Sequence, residues 1–184
     1  MLHFSVTLAR LPAFNRVVHN RAATGMEATA SSRHGEEHDF GQRYPYQPRS
    51  THKQFVANDG RGHNFLIDDA NGNTGPKPIE LVVLGLAGCT AFDVIGILRK
   101  KRQEVTGYEV KIEAEQKPDP PQVFTKVRIH HIVTGVDIAE HAVRDAIHLS
   151  EEKYCSVGAM VKMSAEIEST YEIVPAEQPV AGGA

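Results

Sequence analysis

The 184-residue chain is 41% hydrophobic with a net charge of −3, enough apolar content for one domain with its own core and too short a length to suggest two. That charge gives no bulk attraction for nucleic acid or an anionic membrane, and no charge-free apolar run reaches about eighteen residues, so neither partner is expected. The two cysteines, Cys89 and Cys155, are too few for a disulfide framework, and any chemistry is expected to be thiol chemistry centred on them.

Residues 1–50 are dotted with Arg, His and Ser and show no sustained helix or strand period, which predicts a loosely ordered extension. Before Glu27 there is no acid, Arg10, Arg16 and Arg21 are basic, and Phe4, Leu8, Leu11 and Val18 share a helical face. This profile suits a mitochondrial transit peptide, although Pro12 interrupts the helix and hydroxyl residues are few. A disordered leader with Met26 as an alternative start is the other reading. The expected location is cytoplasmic, with mitochondrial the alternative for a eukaryotic source.

A globular domain is expected over residues 51–174. Residues 52–58 and 63–68 read as two short strands around Asn58-Asp59-Gly60-Arg61-Gly62, a hairpin signal. Pro76 and Pro78 sit where proline is tolerated in a first helical turn. The helix they introduce, residues 79–101, is apolar on nearly every side through Leu81, Val83, Leu86, Phe92, Val94, Ile95 and Leu98, and so is predicted to be buried. Arg99, Lys100, Lys101 and Arg102 suit its C-terminus, where cations oppose the partial negative charge of unpaired carbonyls.

Val110, Ile112 and Ala114 then alternate with charged residues, and Val127, Ile129, His131 and Val133 recur at the same two-residue period after the prolines at 118, 120 and 121, predicting an antiparallel pair. Asp137 and Glu140 form a candidate capping box for a second helix reaching Tyr154. Beyond Cys155 to Gly158 a last strand is expected through Val161, Met163, Ala165, Ile167, Tyr171 and Ile173. Residues 175–184 read as a disordered tail. The order of strands, helix, two strands, helix and strand predicts an α+β domain.

Cys89 lies inside the apolar helix, where a free cysteine is commonly a small buried hydrophobe. Cys155 lies where a helix gives way to Ser156-Val157-Gly158, an irregular site where backbone amides can stabilise a thiolate. The Leu-Ala-Gly-Cys box ending at Cys89 is set aside as a lipoprotein signal, because it lies some eighty residues into the chain with Glu80 at its head. The ten histidines show no metal-ligand spacing: His130 and His131 point to opposite faces of a strand, and His141 and His148 are two turns apart. Gly85 and Gly88 fall inside a helix rather than in a phosphate-binding loop and are read as allowing close helix approach. No metal and no cofactor are expected.

Three segments carry a family resemblance: Gly75-Pro76-Lys77-Pro78-Ile79-Glu80-Leu81, Leu86-Ala87-Gly88-Cys89-Thr90-Ala91-Phe92-Asp93 and Glu151-Glu152-Lys153-Tyr154-Cys155-Ser156-Val157-Gly158-Ala159. Over residues 53–173 the chain resembles the OsmC/Ohr family, named for osmotically inducible protein C and organic hydroperoxide resistance protein, in its less characterised branch. The resemblance implies an intertwined homodimer in which antiparallel sheets wrap two central helices. It implies reduction of organic hydroperoxides, with Cys89 attacking the peroxide to become a sulfenic acid and Cys155 resolving it as a disulfide. A dithiol reductant such as a lipoylated protein would then regenerate the thiols.

The chain departs from the better-known branches, which place a glutamate ten residues before the first cysteine and an arginine on an N-terminal strand. Ile79 occupies the first position, with Glu80 nine residues before Cys89, and Gln54 falls near the second, leaving Lys53, Arg49 and Arg61 as candidates. Asp93, one turn after Cys89, would oppose a negative sulfur unless a cation neutralises it. The alternative expectation is therefore a small-molecule or acyl-group binding protein that keeps the fold without redox turnover.

Overall fold

A 23-residue helix, α1 (Pro78–Lys100), organises the main part of the molecule. In the computed structural model, which describes residues 2–8, 53–59, 61–69, 71–72 and 74–176, it lies with a four-stranded sheet and two further helices. By length and composition α1 could cross a membrane. One face packs into the core, where Val83, Leu86, Ala87, Ala91, Val94 and Leu98 are buried in one cluster with Val110, Ile112, Val127, Ile129 and Val133 of the sheet, but burial does not extend all round as expected, since Phe92 is 80% exposed. Removing such side chains from water is what stabilises the arrangement, at roughly 1.5–3 kcal/mol for each fully buried large aliphatic group.

The sheet has the order β1-β4-β5-β6, formed by β1 (Leu2–Leu8), β4 (Glu104–Gln116), β5 (Phe124–Val136) and β6 (Glu166–Pro175). The central pair, β4 and β5, is antiparallel with Val110 opposite His131 and Ile112 opposite Ile129. Their alternation in sequence is the alternation in burial, because successive strand residues face opposite sides of a sheet. β6 runs parallel to β5, so the chain must cross over between them, and it does so through the helices that carry Cys155.

Three local expectations are corrected. Residues 2–8, read as part of a loosely ordered extension with Phe4 and Leu8 on a helical face, form β1 and pair antiparallel with β4. Their sequence also has Leu2, Phe4, Val6 and Leu8 at a two-residue period, and pairing with an available sheet edge selects that period. The rest of the extension, residues 9–50, lies outside the described residues, and with it the remainder of the segment read as a transit peptide.

The second correction concerns the start of α2 (Glu140–Leu149). Asp137 sits at φ 48° in a turn, Ala139 is the N-cap residue and no side chain caps the helix end. The Ala139 amide instead donates to Gln103 Oε1 at 2.8 Å, and Glu140 accepts a hydrogen bond from the Tyr171 hydroxyl at 3.0 Å. A left-handed backbone at Asp137 is incompatible with the extended conformation that a capping residue needs, so the capping box does not form.

Third, α2 runs into a π-helical turn, Ser150–Tyr154, and then a short helix, α3 (Ser156–Val161). Val161, Met163 and Ala165, expected on the last strand, precede it, since β6 begins at Glu166. The tail expected from residue 175 begins as the last residue of β6, Pro175, and residues 177–184 lie outside the described residues.

The chain divides into two compact units, one of residues 1–10 with 78–184 and the other of residues 11–77. The described part of the second contains the expected hairpin, β2 (Phe55–Asn58) paired antiparallel with β3 (Asn64–Ile67). Below it Asp68 is buried and accepts hydrogen bonds from Gln54 Nε2 at 3.1 Å and from the Thr74 amide at 3.0 Å and hydroxyl at 2.5 Å. The hydroxyl and Gln54 hold its carboxyl well below the usual carboxylate range. Gly72 is required there, because a Cβ would fall 2.3 Å from an Asp68 oxygen.

Candidate thiol site

Cys89 sits at the middle of α1, half-buried, and Cys155 caps the N-terminus of α3, buried. The π-helical turn is what delivers the second thiol. Its wide hydrogen bond, from the Cys155 amide to Ser150 O at 2.8 Å, leaves Cys155 with extended backbone at the head of α3 rather than continuing α2. Such turns recur at functional sites because they redirect a side chain without ending the local helical run.

The two sulfurs and a carboxylate oxygen of Asp93 lie within 4.8 Å of one another. Cys155 Sγ accepts the Gly158 amide hydrogen at 3.2 Å and lies 3.5 Å from the Thr90 hydroxyl. Asp93 Oδ2 accepts a hydrogen bond from the Ser150 hydroxyl at 3.0 Å. Thr90 and Ser150 are both buried. The site is thus assembled from α1, the π-helical turn and α3, three neighbouring elements of one unit.

Burial pushes the Cys155 thiol up, and the neighbouring Cys89 adds to this, while Thr90 and the Gly158 amide act in the opposite direction. Desolvation disfavours the charged form of a thiol, so Cys155 stays protonated at neutral pH. Iodoacetamide will therefore modify Cys89, which is more exposed, well before Cys155 in the reduced protein. Labelling of Cys155 should accelerate as pH rises above neutrality. Peptide mass spectrometry over a time course reads both rates.

α1 is unbroken from Pro78 to Lys100, so Glu80, nine residues and two and a half turns before Cys89, projects from the opposite side of the helix. It does not take the place of the glutamate that Ile79 replaces. Asp93 does stand beside the thiols, as its one-turn spacing from Cys89 implied. Thr90 and Ser150 were not singled out from the sequence. Thr90 was legible only as the residue after Cys89, and Ser150 carried no signal, because its position depends on where α2 widens into a π turn.

Of the cations named as candidates, Arg49 lies outside the described residues. Lys53 and Arg61 belong to the second unit, where the Lys53 amide donates to Asp69 Oδ2 and Arg61 pairs with Asp59 at 4.0 Å. Gln54 is engaged with Asp68 and Thr74. Gly85 and Gly88, read as points of close helix approach, meet no described atom within 4 Å of an added Cβ; on this side α1 is open within the described residues.

A family model described as OsmC-like protein matches residues 70–170, a stretch that includes both cysteines and Asp93. The chain belongs to the OsmC-like family. Among its relatives, Protein YhfA of Escherichia coli strain K12 is 42% identical over 122 residues, which cover 66% of this chain and 91% of that protein. A crystal structure of a hypothetical protein from Aquifex aeolicus VF5 matches with a TM-score of 0.63 at 28% identity, over 74% of this chain and 98% of that one. The OsmC-like protein from Mycoplasma pneumoniae, at 12% identity and a TM-score of 0.59 over 66% of this chain and 89% of that one, shares the fold. This OsmC-like chain therefore has the α+β architecture expected from its order of elements.

Proposed function

We propose that the chain is a thiol-dependent peroxidase for organic hydroperoxides. The observation that carries the reading is the approach of Cys89 Sγ and Cys155 Sγ to within 4.8 Å. Closing from there to the bond length of about 2 Å in a disulfide requires side-chain rotation and helix movement. Membership of the OsmC/Ohr family supports a redox role in general.

The more exposed Cys89 is the attacking thiol. As the thiolate it displaces alcohol from the terminal peroxide oxygen, breaking the O–O bond and becoming a sulfenic acid while the leaving alkoxide takes up a proton. The Cys155 thiol then attacks the sulfenic sulfur, releasing water and forming the disulfide. A dithiol such as a lipoylated protein returns both cysteines to thiols. Apolar side chains beside Cys89, among them Leu86 and Phe92, favour a greasy peroxide over hydrogen peroxide.

The active form in this reading is a homodimer. Phe92 is 80% exposed one turn from Cys89, and among the described residues α1 is open at Gly85, Gly88 and Gly96. A second copy covering that apolar face would bury Phe92 and shield Cys89 from water. Phe92→Glu should shift the protein from dimer to monomer, as read by sedimentation equilibrium, with little effect on the fold of the single chain.

The test of the function is consumption of cumene or fatty-acid hydroperoxide by the pre-reduced protein with dihydrolipoamide as reductant. Sustained turnover supports the peroxidase. A non-redox carrier of small apolar or acyl groups is the second reading, favoured by Ile79 at the glutamate position and by the engagement of Gln54 with Asp68 near the arginine position. It predicts fatty-acid binding without turnover.

A further inference from the structure

The thiol site holds three groups that become anionic and face one another: Cys89 Sγ, Asp93 Oδ and Cys155 Sγ, all within 4.8 Å. A redox step between two thiols does not require the carboxylate, and a carboxylate beside a thiolate opposes its charge. A bound divalent cation reverses that relation, making each of the three groups favourable to the others.

We infer that, in the reduced protein, Cys89, Asp93 and Cys155 form a three-donor site for a borderline-soft divalent cation of the zinc class. The site shares its sulfurs with the proposed peroxidase, and the cation-bound protein is the form in which both thiols are masked.

The donor set selects the metal. Two thiolates and one carboxylate suit zinc or cobalt, whereas magnesium and calcium take oxygen ligands only. Tetrahedral coordination at ordinary zinc–sulfur and zinc–oxygen lengths places ligand atoms about 3.5–3.8 Å apart. Separations of up to 4.8 Å therefore need to contract by at most about 1.3 Å. Three protein ligands leave a fourth position for solvent, and the half-buried Cys89 gives that position a route outward.

The surrounding hydrogen bonds are those that orient such ligands. The Gly158 amide and the Thr90 hydroxyl support Cys155 Sγ, and the Ser150 hydroxyl fixes the Asp93 carboxylate at 3.0 Å. A bound cation takes both sulfurs in the thiolate form. A Cys89–Cys155 disulfide has no thiolate to offer and cannot hold the cation.

The experiment is an anaerobic titration of the full chain, reduced with a phosphine and stripped with a chelator that is then removed, using Co²⁺ as the probe. One equivalent should bind with a near-ultraviolet thiolate-to-cobalt charge-transfer band, and Zn²⁺ should displace it. The band distinguishes this site from cobalt held by histidines. Cys89→Ser and Cys155→Ser should each lower the band and the affinity. Asp93→Asn, which keeps the shape of the side chain, should weaken binding by at least about tenfold. Wild-type protein oxidised with diamide should show no band, a comparison that needs no substitution.

Absence of the band in reduced wild type overturns the inference, as does Asp93→Asn binding with unchanged affinity or undiminished binding after oxidation. Peroxide turnover is measured separately on the metal-free protein in the presence of chelator. Failure of the metal site and failure of the peroxidase are thereby separable.

Discussion

Cys89→Ser abolishes hydroperoxide turnover, with a fall on the order of a thousandfold or more in the rate of peroxide loss, because a serine hydroxyl at neutral pH supplies neither the thiolate nor an oxidisable sulfur. Cys155→Ser behaves differently. Its first equivalent of peroxide is consumed at close to the wild-type rate, after which Cys89 persists as a sulfenic acid and, in excess peroxide, advances to the sulfinic acid. Stopped-flow measurement of the first turnover, followed by intact-protein mass spectrometry, separates these outcomes. Equal turnover by wild type and Cys89→Ser would remove the peroxidase reading.

Acid stability gives the second large effect. His131 is fully buried in β5, its Nδ1 lies 2.6 Å from the Tyr108 hydroxyl, and the two rings stack at 6.0 Å. Burial, with a smaller contribution from His130, pushes His131 down from 6.5 to about 4. Above pH ~6.5 the imidazole is neutral in both folded and unfolded chains and contributes nothing to pH dependence. Between about 6.5 and 4 the unfolded chain takes up a proton that the folded one refuses, so stability falls as pH falls. Complete traversal of that window costs about 3 kcal/mol.

Urea denaturation at closely spaced pH values should show this loss beginning above the range in which ordinary carboxylates titrate. Replacing the pair together, Tyr108→Phe with His131→Leu, avoids leaving one buried polar group alone and should flatten the curve between pH 6.5 and 4. Retention of the full wild-type slope in the double variant would assign the acid sensitivity elsewhere.

The parts of the fold that were legible in sequence are those in which one interaction dominates. In β4 and β5 a half-buried sheet imposes a two-residue period, visible from Val110 to Ala114 and from Val127 to Val133, and it placed His131 inside and His130 on the other face. The all-round apolar character of α1 marked it as central. The two thiols could be named because cysteine is rare in this chain and both fall within family motifs.

What escaped reading depends on contacts distant in sequence or on small backbone choices. The strand at Leu2–Leu8 exists because β4 offers it an edge. Asp137 has the residue type of a cap but the wrong φ, and Gln103, far away in sequence, supplies the hydrogen bond instead. Val161 and Met163 continue an alternating pattern into a region where the π turn and α3 bring the chain past the thiol site before β6 starts. Ser150 and Thr90 gained roles only through that path. Asp93 was visible as an electrostatic difficulty next to Cys89, and its position among both sulfurs is what recasts the difficulty as a binding feature.

The most direct test of a paired-thiol site is peptide mapping by mass spectrometry after the reduced wild-type protein is treated with about one equivalent of cumene hydroperoxide in chelator and the remaining thiols are blocked. An intramolecular Cys89–Cys155 disulfide should form within the time of peroxide loss and be reversed by dihydrolipoamide. Recovery of both cysteines as blocked thiols, with the peroxide unconsumed, would contradict a paired-thiol site.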